Sequence, residues 1–281
     1  MINAKIIEDS ISEAGKRITT MQLIYPRMIH SEFMTHRVFS RNASSSRAIP
    51  VKLMIEMVRN NPASPVHWGR NQPGMQAASE LEGDELDAAV YLWEEAAVQA
   101  AAIAEEMNEL GLHKQVINRI LEPFQHIHVV VTSTEWDNFF ALRDHEAAAP
   151  EIQAVARPMK LALANGTPTL LHAGEWHLPY IGADERKVLP NEIARKASAA
   201  RCARVSYLKH DGSAPDIAGD IALYDRLVGS MPIHASPVEH QATPDTLSDL
   251  RGWENWRFHG NFVGWLQNRK LVEVEFETEK G

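Results

Sequence analysis

Thr-His-Arg-Val-Phe-Ser-Arg-Asn-Ala-Ser-Ser-Ser-Arg, residues 35–47, places three arginines, a histidine, an asparagine and four serines within thirteen positions. Few cores could bury such a run. On its N-terminal side lie Met21, Leu23, Ile24 and Tyr25, and beyond Pro50 come Val51, Met54, Ile55 and Val58. The pattern predicts a polar loop held between two packed elements, the usual way a rigid scaffold presents binding groups. Arg37, Arg41 and Arg47 make the loop a candidate anion cradle, because the planar guanidinium can bind phosphate through two hydrogen bonds and keeps its charge.

The whole chain narrows what this loop can serve. With 281 residues and 44% hydrophobic content, it can bury a substantial core. One domain over residues 1–281 is the preferred reading, since no repeat or low-complexity linker interrupts it. A formal charge of −9 argues against sequence-independent binding of nucleic acid. The sequence has no run approaching the roughly 18 apolar residues a membrane helix needs, so no membrane partner is expected and the cytoplasm is the expected location. The single cysteine, Cys202, rules out an internal disulfide and a cysteine-rich zinc site, and its alanine-rich surroundings predict a small buried hydrophobe.

Residues 18–25 alternate Met21, Leu23 and Tyr25 with Thr20 and Gln22, the signature of a half-buried strand. Pro26 is expected to open a helix carrying Ile29, Phe33 and Arg37 on one stripe, with His36 and Arg37 pointing out of its end. Further helices are expected after Pro50, from Glu80 to Leu112, from His113 to Leu121, around Trp136 to Arg143, from Pro150 to about Ala164, over Asn191 to Ala200 and over Asp216 to Ser230. Ile127 to Val131 reads as a strand. Residues 61–74 read as a loop, 166–190 as an irregular connection without assigned chemistry, and the aromatic-rich C-terminal part as a segment that docks on the domain or on a partner subunit.

His234-Ala-Ser-Pro-Val-Glu-His240 is a second polar cluster. A metal reading for it is weak, because Pro237 breaks any helix that could align the two imidazoles, and no metal is expected. Gly-x-Ser-x-Gly, Gly-x-Gly-x-x-Gly and Walker loops are all missing from the sequence.

His36-Arg37 followed by seven residues and Ser45 resembles the Arg-His-Arg-x7-Ser signature of the flavin-dependent thymidylate synthases. Asn118 to Pro123 is similar to that family's Ala-Arg-x-x-Leu-Pro segment, and Asn138 to Arg143 to its Asn-Phe-x-x-x-Arg segment, with Glu151-Ile152 following at the expected distance. These lie in family order over about residues 18–165. Ala203 to Tyr207 resembles Ala-Arg-Val-Ser, and His234 to His240 resembles His-x-x-Pro-Phe-Glu-His; both precede the arginine motif in the family but lie here within residues 199–242. A circular permutation would explain the order, and it predicts that the segment after His240 lies close to strand 18–25.

The resemblance implies an α/β (α+β) fold, a mixed sheet flanked by helices. It also implies conversion of dUMP to dTMP with methylenetetrahydrofolate, reduced FAD and NADPH, in a homotetramer with sites between subunits. By matching position, Glu32, Ser45, Ser46, Arg47, Arg119 and Arg143 would contact dUMP. His36, Arg37, Asn42, Asn138, Ser206, His234, Ser236 and Glu239 would hold FAD. Arg143 and Ser45 would serve catalysis by positioning, Ser45 not as a nucleophile, because no adjacent base is evident. The chain departs from the family at Thr35, where the first arginine of the motif would stand, at Glu32 and Ala43, and at Thr132 and Thr134 in place of an Asn-x-Arg pair. These departures keep open hydroxymethylation of dUMP or action on another pyrimidine nucleotide. A reading of another class is a non-catalytic nucleotide- or nucleic-acid-binding module.

Overall fold

A computed structural model describes residues 1–205, 213–229 and 232–278. In chain order these form β1 (Asn3–Ser12), β2 (Arg17–Pro26), α1 (His30–Phe33), β3 (Ser40–Ala43), α2 (Val51–Asn60), α3 (Asp84–Glu109), α4 (Lys114–Ile120), β4 (His126–Ser133), α5 (Asp137–Arg143) and α6 (Pro150–Asn165). There follow β5 (Thr169–Leu171), α7 (Ala183–Val188), α8 (Asn191–Arg204), α9 (Ile217–Val228), four short C-terminal strands and α10 (Asn268–Thr278). Five strands make one sheet in the order β3-β4-β2-β1-β5. Only β1 and β5 pair in parallel there, so the sheet is mixed and flanked by helices, the α/β architecture expected.

Period-two alternation decides which face each strand residue takes. Met21, Leu23 and Tyr25 of β2 join Ile127, Val129 and Val131 of β4 on one face, where Phe139, Ile152, Val155 and Met159 of α5 and α6 cover them. The opposite face is not exposed, as a half-buried strand would require. Thr20 and Thr132, paired across β2 and β4, are fully buried. Val130 packs there against Tyr180, Cys202 and Val205. The C-terminal half covers this polar face because it brings groups that satisfy its hydroxyls. Ser10 Oγ lies 2.9 Å from His177 Nδ1, His177 Nε2 2.8 Å from Thr20 Oγ1, Thr20 Oγ1 2.7 Å from Thr132 Oγ1, and Thr132 Oγ1 2.8 Å from His240 Nδ1. Burial holds the His177 imidazole well below its ordinary pKa and pushes His240 down to about 3, so both are neutral members of the row.

The segment after His240 lies against β2: Ala242, Phe262 and Trp265 cluster on Ile18, and the Trp265 indole N–H donates to the Lys16 carbonyl at 3.1 Å. A second apolar cluster joins Val51, Met54, Ile55 and Val58 of α2 to Ala97, Ala101 and Ala104 of α3 and to Ile117 and Leu121.

Three further expectations need correction. The helix expected from Pro26 through Arg37 is a 3-10 turn over Arg27–Ile29 followed by α1, which ends at Phe33. Thr35 ends it by occupying the Glu32 carbonyl with both its N–H (3.1 Å) and its hydroxyl (2.7 Å), the local competition a short polar side chain offers to a helix. Residues 35–47 are likewise not all loop, since β3 pairs with β4 within them. The connection 166–190 holds β5 and α7, and its His177 belongs to the buried row. Among the described residues no helix is long and apolar enough to cross a membrane.

Candidate functional site

Chain geometry around residues 32–47 gathers three polar groups along one strip. The first centres on Arg143, in the last turn of α5. Its Nε donates to His36 Nε2 at 2.9 Å, one terminal nitrogen pairs with Glu32, and the other donates to Thr35 Oγ1 at 3.2 Å. His36 is buried, edge-on to Phe139 with ring centroids 4.9 Å apart, rather than projecting from a helix end. Burial first, then Arg143 and Arg41, lower its pKa. A neutral imidazole can therefore accept the guanidinium hydrogen bond. Arg37 and Asn138 flank this group and are exposed.

Arg41 links the first group to the second. One of its terminal nitrogens donates to the Met34 and His36 carbonyls at 2.7 and 2.8 Å, and the Glu239 carboxylate opposes the lowering of its pKa by burial. Asn42 of β3 donates to the Cys202 carbonyl at 2.7 Å and accepts from Ser236 Oγ at 2.9 Å, so the strip is tied to the end of α8 and to the 3-10 turn Ser236–Glu239. Glu239 pairs with Arg269 of α10. His234 is exposed, and Ser206 lies outside the described residues.

In the third group, Ser46 is buried and donates to Glu122 Oε1 at 2.9 Å. Arg27 and Arg119 reach the same oxygen at 3.0 and 3.1 Å. Ser45 and Arg47 are exposed beside it. Asn118 fixes the loop by donating to the Ser46 and Ile49 carbonyls at 2.7 and 3.0 Å.

The structure thus brings Glu32, His36 and Arg143 into direct contact, joins Asn42 to Ser236, and places Ser46 and Arg119 on one carboxylate. Arg41 ties the second group to the first through the His36 carbonyl, and the third stands apart from them in hydrogen bonding among the described residues. Thr132 and Thr134, departures from the expected motif, are structural contacts: Thr132 sits in the buried row, and Thr134 Oγ1 accepts the Val263 N–H at 3.0 Å. Sequence reasoning placed Arg41 in the candidate anion cradle but missed Arg27, Glu122 and Arg269. For Glu122 a signal existed, because it stands where the Ala-Arg-x-x-Leu-Pro pattern has leucine. A cavity of about 430 Å³ opens next to the segment that carries Glu122, walled by Ile24, Leu53, Met57, Phe124, His126 and His128, and by none of the expected site residues. Burial, then the N-terminal amine, pushes His126 down to about 4. Among the described residues no group of three or more histidine, cysteine or acidic side chains is arranged to hold a metal ion.

The chain matches the family model described as thymidylate synthase complementing protein over residues 17–169, more than half its length. No curated protein sequence matches it. Among solved structures it is similar to a UMP/dUMP methylase, PolB, from Streptomyces cacaoi bound with 5-Br UMP: 16% identity, TM-score 0.48, with 58% of this chain and 89% of that chain covered. The same enzyme bound with 5-Br dUMP gives the same score and identity, with 90% of that chain covered.

Proposed function

The chain belongs to the thymidylate synthase complementing protein family, and on that premise we propose that it is a flavin-dependent thymidylate synthase acting on dUMP. Methylenetetrahydrofolate would provide the one-carbon unit and NADPH the reducing power. The observation that carries the reading is that the matched span 17–169 contains Glu32, His36, Ser46, Arg119 and Arg143, and that Glu32, Thr35, His36 and Arg143 form one hydrogen-bonded group.

In this reading dUMP is gripped by Arg119 and Arg143, with Ser45, Ser46 and Arg47 lining the same pocket and Glu32 facing the nucleotide. Arg143 holds the ring in line, and its own orientation is set by Glu32, Thr35 and neutral His36. A pre-set guanidinium spends little free energy on reorganisation when charge builds on a uracil carbonyl. Ser45 positions and does not attack.

FAD, when bound, supplies the hydride. The side chains fit such a group in character: Arg37, Asn138 and His234 are exposed donors, while Ser236 and Glu239 are half-buried and His36 is buried. Asn42 has both ends of its amide engaged within the chain, so its part would be to hold Ser236 in place. Ser206 is retained in the flavin set by motif alone. The permuted motif order is supported by the packing of Ala242 and Trp265 on Ile18. A homotetramer is supported by α3, which leaves Tyr91, Leu92, Val98 and Ile103 exposed. Hydroxymethylation of dUMP is the second reading; what favours it is Thr35, bonded to Arg143 where the motif has an arginine.

Reconstitution separates these enzyme readings from a binding module. Purified protein mixed with FAD and then freed of unbound cofactor is expected to stay yellow, with a flavin absorbance band. Protein that cannot retain FAD counts against both enzyme readings and leaves the nucleotide-binding module.

A further inference from the structure

Glu122 is the acidic side chain on which Ser46 and Arg119, two residues that the proposed function gives to the nucleotide, converge. Its Oε1 accepts from buried Ser46, lies 3.0 Å from Arg27 and accepts from Arg119 at 3.1 Å. Two hydrogen-bond donors and a second guanidinium converging on one anionic oxygen are the surroundings a phosphoryl oxygen requires, and two arginines exceed what a single carboxylate neutralises.

The frame holding those donors is rigid. Arg27 follows β2, and its backbone N–H donates to the Gln125 carbonyl at 2.8 Å. Gln125 Nε2 donates to the Asn118 carbonyl at 3.2 Å, and the Asn118 amide in turn fixes the Ser46 and Ile49 carbonyls. The occupant is less constrained. Glu122 begins a single 3-10 turn, its side chain is 23% exposed, and Arg119 is 55% exposed on the outer side. A carboxylate at this partly exposed position has solvent beside it into which it could be displaced.

We infer that Arg27, Ser46 and Arg119 form one anion site, that Glu122 is its built-in occupant, and that the phosphate of a nucleoside monophosphate must displace this carboxylate to bind. This rests on the nucleotide reading above and adds Arg27 and Glu122 to it. A phosphate near neutral pH carries more charge than the carboxylate and offers three acceptor oxygens, so it can win the exchange where a neutral nucleoside cannot. Glu122 thereby acts as a selectivity element, weakening all anions but excluding weak ones most.

The test compares wild type with Glu122→Gln for binding of inorganic phosphate, dUMP and deoxyuridine by calorimetry. Removing a competing charged partner is expected to tighten phosphate and dUMP about tenfold and to leave deoxyuridine unchanged. Phosphate binding that is equal or weaker in Glu122→Gln overturns the inference, as does an equal gain for deoxyuridine. Phosphate tightening with no dUMP binding to either protein upholds the anion site and removes the nucleotide reading. Should Glu122→Gln not fold, Arg27→Gln in the otherwise unchanged chain is expected to weaken phosphate at least about fivefold; unchanged phosphate binding there overturns the inference equally.

Discussion

Arg143→Ala is expected to lower kcat/KM for dUMP by about a hundredfold or more while changing FAD affinity less than about threefold, the loss a desolvated charge pair typically carries. The guanidinium is 19% exposed and held by His36, Glu32 and Thr35. Truncation removes a preset positive charge and also leaves the Glu32 carboxylate without its partner, beside the place where an anionic substrate would enter. Both effects oppose dUMP. Of the side chains proposed to hold FAD, Arg143 bonds only to His36 among the described residues, so flavin affinity should move little. Arg143→Lys should recover only part of the loss, because a lysine ammonium cannot bond His36 and Glu32 in one plane. Equal losses for dUMP and FAD would contradict the role given to Arg143.

The largest expected effect on stability is at Asp220→Ala, about 3–5 kcal/mol by denaturant unfolding, the usual cost of removing one partner from a buried ion pair. Asp220 is 1% exposed and fully buried Arg201 donates to it at 2.8 Å, with Arg204 at 2.5 Å. Arg201 also donates to the Tyr180 carbonyl at 2.8 Å and to both oxygens of Glu185, whose pKa its hydrogen bonds hold low. Glu185 keeps one positive charge compensated, so the loss falls mainly on Arg204 and on the link between α8 and α9. The consequence reaches the site, because the end of α8 offers the Cys202 carbonyl to Asn42. A loss below about 1 kcal/mol would mean that the pair is in effect exposed.

These two residues also mark how far the sequence could be read. Arg143 was legible because it ends an apolar run, Phe139-Phe140-Ala-Leu, whose helical spacing fixes where it emerges. Strand β2 and the placement of Cys202 were legible for the same reason: periodicity and apolar surroundings are local. Strand β1 was not, because Glu8 and Asp9 interrupt its alternation, and their partners Arg186 and Arg17 meet them only in the fold. The role of His177 was hidden similarly, since its partners Ser10 and Thr20 lie far away in sequence. The helix after Pro26 was read too long because Thr35 ends it by a side-chain bond to the Glu32 carbonyl, which an apolar stripe does not report. Glu122 stands where the motif has leucine, a signal that marks it as unusual, but its partners Arg27 and Ser46 meet it only in the fold.

The most direct measurement of the proposed activity is the mass of the product formed from dUMP by the FAD-loaded protein with methylenetetrahydrofolate and NADPH. Conversion to dTMP, dependent on the folate and on reduced flavin, is the expected result. Unchanged dUMP from protein that retains FAD, or a product carrying a hydroxymethyl group instead of a methyl group, would contradict it.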